Sequence, residues 1–122
     1  GIINGTVFIE PGWFELICNA LDKIYSRCET SVEIVGIKEK FGELRINLGL
    51  IKQDDTNEVS RILKEVQESA SKTCQICGNA GELTRINGRI IILCDNHSNC
   101  NKREIIEKRK LALDKKAKQY HG

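Results

Sequence analysis

A chain of 122 residues has room for one domain, or for one small domain carrying a metal-bound appendage. Its 40% hydrophobic and 30% charged residues, with a single proline and no low-complexity run, give an ordinary globular profile. No apolar run approaches the roughly 18 residues that span a bilayer and no signal-peptide pattern is present, which argues against a membrane partner and for a cytoplasmic setting; what precedes Gly1 stays open. The net charge of +2 is unevenly spread, with +5 on residues 101–122 and −3 on residues 1–100.

In chain order, Thr6–Ile9 is a short β-type run that predicts an edge strand or an ordered lead-in. Pro11 then suits the first turn of a helix. From Trp13 to Cys28, the positions Phe14, Ile17, Cys18, Leu21, Ile24, Tyr25 and Cys28 recur at helical spacing, an amphipathic stripe led by Trp13 as a core anchor. Ser31–Lys38 is β-branched. Glu43–Ile51 alternates, with Leu44, Ile46, Leu48 and Leu50 on one face and Glu43, Arg45 and Asn47 on the other. The two runs meet at Glu39-Lys40-Phe41-Gly42 as an antiparallel hairpin. Asp55 and Glu58 stand in capping-box register before Val59, Ile62, Leu63, Val66 and Ala70, a second amphipathic helix.

The C-terminal half is dominated by Cys74-x-x-Cys77 and Cys94-x-x-His97, with sixteen residues between the pairs. Zinc favours tetrahedral thiolate and imidazole ligands, and a closed set of four protein ligands is structural rather than catalytic. The intervening chain reads as two strands around Asn87-Gly88, the strongest short hairpin signal. A ligand knuckle, a hairpin, a second ligand pair and a long basic helix describe a treble-clef-like zinc module holding one structural Zn2+. Cys100 is an alternative to His97 as the fourth ligand. A disulfide framework is the competing use of six cysteines. Against it, Cys18 and Cys28 would lie about 15 Å apart along one helix, beyond disulfide reach, and a reducing cytosol follows from the zinc reading. The predicted fold class is α+β: helix, antiparallel hairpin and helix over residues 1–72, then the zinc module and C-terminal basic helix over residues 73–122, packed as one unit. The helix after His97 has a thin apolar stripe of Ile106, Leu113, Ala117 and Tyr120, with Ile105 alongside.

Gly12-Trp13-Phe14-x-x-Ile17, then Lys38-Glu-Lys-Phe41-Gly42-x-Leu44-Arg45, then Cys74-x-x-Cys77-Gly78 and Leu93-Cys94-x-x-His97 follow in that order. Over residues 12–97 this resembles a group of small uncharacterised bacteriophage and prophage proteins, in which a KEKFG-x-LR stretch precedes a C-x-x-CG…LC-x-x-H zinc knuckle. The resemblance implies a phage or bacterial cytoplasmic setting and carries no activity with it. Glu43 departs from the small residue usual after that glycine, and the basic tail beyond residue 100 is a further departure.

Three sets of residues are candidates for function. Cys74, Cys77, Cys94 and His97 hold the metal. Lys38, Lys40, Phe41 and Arg45 form either a plain solvated hairpin tip, with Phe41 packed down, or an edge that meets an acidic protein partner or phosphates. Lys102, Arg103, Lys108, Arg109, Lys110, Lys115 and Lys116 (with Lys118) could line a nucleic-acid interface, although little aromatic interleaving argues against single-strand stacking. Asp95-Asn96-His97 superficially resembles an HNH nuclease signature. Such an enzyme needs a general-base histidine beyond its metal ligands, and only His97 and His121 exist. The expectation is therefore a non-enzymatic binding protein whose partner is a host or phage protein, acting in regulation or in modulating host defence. A nucleic-acid-binding zinc module is the alternative, and a homodimer through the C-terminal helix is left open.

Overall fold

The structure is a computed structural model and describes residues 3–28, 32–98 and 102–121. Among the described residues, two antiparallel hairpins and three α-helices make a mixed α+β fold. Strand β1 (Ile3–Val7) leads through a 3-10 turn at Pro11–Trp13 into helix α1 (Phe14–Arg27). Strands β2 (Ile34–Lys40) and β3 (Glu43–Leu48) form the first hairpin, helix α2 (Thr56–Ala70) follows, and β4 (Glu82–Ile86) with β5 (Arg89–Leu93) forms the second. Helix α3 (Lys102–His121) closes the described chain.

The first sheet has the order β1-β2-β3, with β1 parallel to β2 and β2 antiparallel to β3. Parallel neighbours need a crossover, and α1 supplies it. The predicted lead-in strand is thus part of the sheet, making it three-stranded rather than a lone hairpin. Ile17, Ala20 and Ile24 of α1, Val59, Ile62 and Val66 of α2, and Ile34, Ile37 and Leu44 of the sheet share one buried core. Ile92 of β5 joins the same cluster, so the second hairpin is packed into it. Trp13 is fully buried, and its Nε1–H donates to the Thr73 carbonyl at 2.9 Å. The segment before the metal ligands is thereby tied to the start of α1.

Three sequence expectations give way here. The alternation over β3 stops at Leu48, and Leu50 is wholly exposed, because Gly49 donates to the Glu33 carbonyl as the chain leaves the strand. The capping box does not form. Asp55 is the N-cap, but a 3-10 turn at Gln53–Asp55 holds it at φ −93°, ψ −11°, and its side chain makes no cap hydrogen bond. An N-cap carboxylate reaches the helix donors from extended φ/ψ, which that turn denies it. Glu58 turns instead to Arg27 at the end of α1 and to Arg61. On α3, Ile105 is buried while Ile106, Leu111 and Leu113 are exposed, so the docked face is led by Ile105 and not by Ile106.

A further difference lies beneath α3. Arg109, one helical turn beyond Ile105, places its Nε 2.9 Å from Oε2 of Glu10, a residue only 1% exposed. The contact is not an aligned hydrogen bond, since both Glu10 oxygens and the Arg109 Nε and Nη2 lack hydrogen-bond partners among the described residues, and it becomes a charge pair only as Glu10 loses its proton near pH 7. Burial pushes the Glu10 carboxyl up to about 7, against the pull of Arg109 and with help from Glu39. The folded protein therefore holds a proton on Glu10 between about pH 4.5 and 7 that the unfolded chain has released. Stability from this group is complete below the unfolded value and is lost as pH rises through 7. With metal saturating, we expect a fall on the order of 2 kcal/mol between pH 5.5 and 7.5, measured by urea unfolding. In Glu10→Gln that slope flattens.

Candidate metal centre

The first ligand pair is set by a tight knuckle. The Cys74 carbonyl accepts from Gly78 N–H at 3.0 Å, and Cys74 N–H donates to the Asn79 carbonyl at 2.7 Å. The second pair sits in a turn where the Cys94 carbonyl accepts from the N–H groups of His97 and Ser98, at 3.0 and 2.9 Å. Between them β4 and β5 pair from Glu82↔Leu93 to Ile86↔Arg89 around Asn87-Gly88. Gln75 locks the knuckle to β5, its N–H donating to the Ile92 carbonyl and its side-chain oxygen accepting from Ile92 N–H.

These constraints bring four donor atoms together. The Cys74, Cys77 and Cys94 sulfurs and a His97 ring nitrogen all lie within 4.8 Å of one another. Cys77 Sγ to Cys94 Sγ is 3.6 Å; His97 Nδ1 is 3.2 Å from Cys94 Sγ and 3.6 Å from Cys74 Sγ. A tetrahedral ion with metal–sulfur bonds of about 2.3 Å and a metal–nitrogen bond of about 2.0 Å has sulfur–sulfur edges of about 3.8 Å and sulfur–nitrogen edges of about 3.5 Å. These three separations lie within about 0.3 Å of those edges and the remaining pairs fall within 4.8 Å, so the four residues form a site able to hold one metal ion. No other group of three or more such ligands gathers among the described residues. Cys18, Cys28, Cys74, Cys77 and Cys94 are not in disulfides. Cys100, the alternative fourth ligand, lies outside the described residues.

Without an ion, the electrostatics favour the ligating forms of His97 and Cys74 and oppose that of Cys77. Burial, with Lys108 nearby, lowers the His97 pKa, which favours the neutral imidazole a metal requires. Burial raises the Cys74 thiol, but N–H donors of Cys77, Cys94 and Ile76 outweigh it and hold the thiol below its ordinary value. Desolvation, reinforced by the neighbouring sulfurs, pushes Cys77 up to about 11. The second ligand pair lies in a turn ahead of α3, whose described residues begin at Lys102, rather than inside its first turn.

The other two candidate sets fare differently. Lys38, Lys40 and Arg45 lie on the sheet face turned away from α1 and α2, with Lys38 directly opposite Arg45 and Lys40 opposite Glu43. Phe41 is 68% exposed at the turn, with Lys40 Nζ 5.9 Å from its ring centre, so it is not packed down. Backbone register adds Phe8 to this face, and Val35 is exposed at the bulge between Ile34 and Gly36. The tip also leans on the metal module: Arg89 pairs with Glu39 at 3.6 Å, and a cleft of about 420 Å3 separates Phe41 from Asn87 and Gly88. Of the basic helix set, Arg109 is taken up by Glu10, and Arg103 pairs with Glu107 at 3.8 Å. Lys110 is exposed, Lys108 is half-buried close to His97, and Lys102, Lys115 and Lys116 belong to α3. Sequence reading missed Phe8, Val35 and Glu10; only Glu10 left a signal, as a lone acid inside an apolar stretch before Pro11.

No family model matches the chain, and neither the curated proteins nor the solved structures give a match. No described helix is long and apolar enough to cross a membrane.

Proposed function

We propose that this chain is a non-enzymatic binding protein of phage or bacterial type, stabilised by one structural Zn2+ in a treble-clef-like module, that docks a host or phage protein on the open face of its first sheet. Three thiolates and one imidazole in a closed tetrahedron are a donor set suited to zinc, with no position left for substrate. Knuckle, hairpin and following helix occur in treble-clef order. The observation that carries the binding reading is the Lys38–Arg45 pair. Like charges directly opposite on one strand pair destabilise a sheet, and among the described residues Glu43 alone, 3.3 Å from Arg45, forms an ion pair with either of them. Exposed Phe8, Val35 and Phe41 surround that pair. A fold gains nothing from this arrangement, whereas an acidic partner meeting basic residues beside apolar ones gains both steering and buried area. The phage-like resemblance supports a bacterial cytoplasmic setting and, through it, a role in regulation or in host-defence modulation.

The test is capture of host-cell proteins by the zinc-loaded chain, repeated with the double variant Lys38→Glu/Arg45→Glu. The expected result is a defined complex that the double variant weakens at least tenfold while the variant still folds, with a melting temperature no higher than the native one because the like-charge opposition is kept beside Glu43. Retention of the same complex by that variant would reject this face. A parallel titration with duplex and single-stranded oligonucleotides at low and physiological salt should stay flat. Tight, salt-sensitive binding lost on deleting residues 101–122 would move the function to the basic helix.

A further inference from the structure

The three sulfurs of the metal centre differ in what surrounds them. Cys74 is fully buried and Cys94 is 6% exposed, whereas Cys77 is exposed. Cys77 Sγ lies 3.6 Å from Cys94 Sγ, a contact that runs from the knuckle to the second turn. The Cys74 sulfur is engaged instead by the N–H groups of Cys77, Cys94 and Ile76, which fix it within the knuckle. A disulfide bond is about 2.05 Å long, so Cys77 and Cys94 need to close by only about 1.5 Å to form one. The turns that carry them are pinned together by backbone bonds as well as by the metal. Gln75 bonds Ile92 through both its N–H and its side-chain oxygen, at 2.9 and 2.7 Å. Gly12 N–H donates to the Gln75 carbonyl, and Gly81 N–H donates to the Lys72 carbonyl.

We propose that Cys77 and Cys94 form an oxidation site for hydroperoxides, at which a disulfide forms and the metal is discharged. The proposal rests on the zinc reading above and adds a regulation of that centre. A sensing cysteine is a solvent-accessible thiolate beside a second cysteine that resolves it. Metal coordination keeps Cys77 as a thiolate, its exposure admits peroxide, and Cys94 is the neighbour. In the first step the Cys77 sulfur attacks a peroxide oxygen. The S–O bond forms, the O–O bond breaks, and hydroxide leaves (alkoxide from an organic hydroperoxide). In the second step the Cys94 thiolate attacks the Cys77 sulfur. The S–S bond forms, the S–O bond breaks, and the oxygen leaves as hydroxide. Two protons from solvent neutralise the leaving groups, and the two electrons that reduce the peroxide come from the two sulfurs. Cys74 and His97 are then the remaining pair of ligands, too few to complete a tetrahedral site. The new disulfide still joins the knuckle to the second turn, so the discharged chain keeps the cross-link that the metal supplied. A bridge between Cys74 and Cys77 would lie within the knuckle alone and lose it.

The test uses the full zinc-loaded chain, its metal content measured first, with hydrogen peroxide as the probe. Zinc appearing on a chromophoric chelator should track disulfide formation, with one peroxide and two thiols consumed per ion. Tryptic mapping with fragmentation should place the bridge between Cys77 and Cys94. The buried Cys28 thiol should be lost at least tenfold more slowly. A dithiol reductant with added zinc should restore the starting metal content, and the oxidised chain should melt above the reduced chain held in chelator. A bridge between any other pair of cysteines, or release accompanied only by sulfinic or sulfonic acid, would overturn the proposal and leave the zinc reading standing. So would zinc retained throughout exposure to peroxide. A chain that holds no zinc at the outset would overturn the zinc reading and the proposal together.

Discussion

Cys74→Ser is expected to destabilise the protein by at least about 3–5 kcal/mol, lower the melting temperature by on the order of 15 °C, and release the metal. The size follows from what the residue joins. Its sulfur is one of four donors, its carbonyl and N–H close the knuckle, and the next residue bonds β5 twice. Burying three sulfurs and an imidazole this close together without an ion leaves Cys77 protonated near neutral pH, with its pKa at about 11. Losing one ligand therefore loses the metal cross-link between knuckle and second turn. Ile76, Ile91, Leu93 and Ile105, which cluster around the ligands, lose their packing with it. Calorimetry with and without chelator checks this: chelation should bring the native chain down to the melting point of the variant and leave the variant itself unmoved.

Gly12→Ala should be nearly as damaging, about 3 kcal/mol or more, although the residue touches no metal. A Cβ on Gly12 would fall 1.9 Å from the Cys74 carbonyl oxygen and 2.7 Å from Gly78 N, both main-chain atoms of the knuckle. Neither can rotate away. The segment Pro11–Trp13 would have to lift off, breaking the 2.8 Å bond from Gly12 N–H to the Gln75 carbonyl and the Trp13 bond to Thr73. Gly88→Ala is the control: nothing lies within 4 Å of its Cβ, so only its φ of +79° is penalised, at about 1 kcal/mol. Urea unfolding of both variants, with competition against a chromophoric chelator, should show weakened metal retention in Gly12→Ala alone.

Local chemistry made much of this molecule readable. Two thiolates in C-x-x-C share one turn, Asn-Gly forces a hairpin, and apolar residues at helical spacing in α1 and α2 mark buried faces. Contacts that join distant segments left little trace. Nothing in Ile3–Val7 announces that it runs parallel to β2, since parallel pairing depends on a crossover and not on a turn signal. Ile105 and Ile106 are equivalent by composition, and tertiary packing separates them: Ile105 joins Ile76, Ile91 and Leu93, and Arg109 one turn on meets Glu10, while Ile106 stays exposed. Asp55 has the right identity and spacing for a cap and fails because the preceding 3-10 turn holds its backbone in helical φ/ψ. Phe41 looks like a core residue in one dimension. A positive φ at a hairpin tip turns it outward. The four residues that gather their donor atoms could be named from spacing alone, while the sheet face around Lys38 and Arg45 needed the register.

Metal analysis joined to zinc-edge X-ray absorption, on the chain purified without chelator, tests the zinc site directly. The expected result is one zinc per chain, bound by three sulfurs near 2.3 Å and one nitrogen near 2.0 Å. A metal-free chain that melts with the same cooperativity, or a shell of oxygen and nitrogen only, would contradict it.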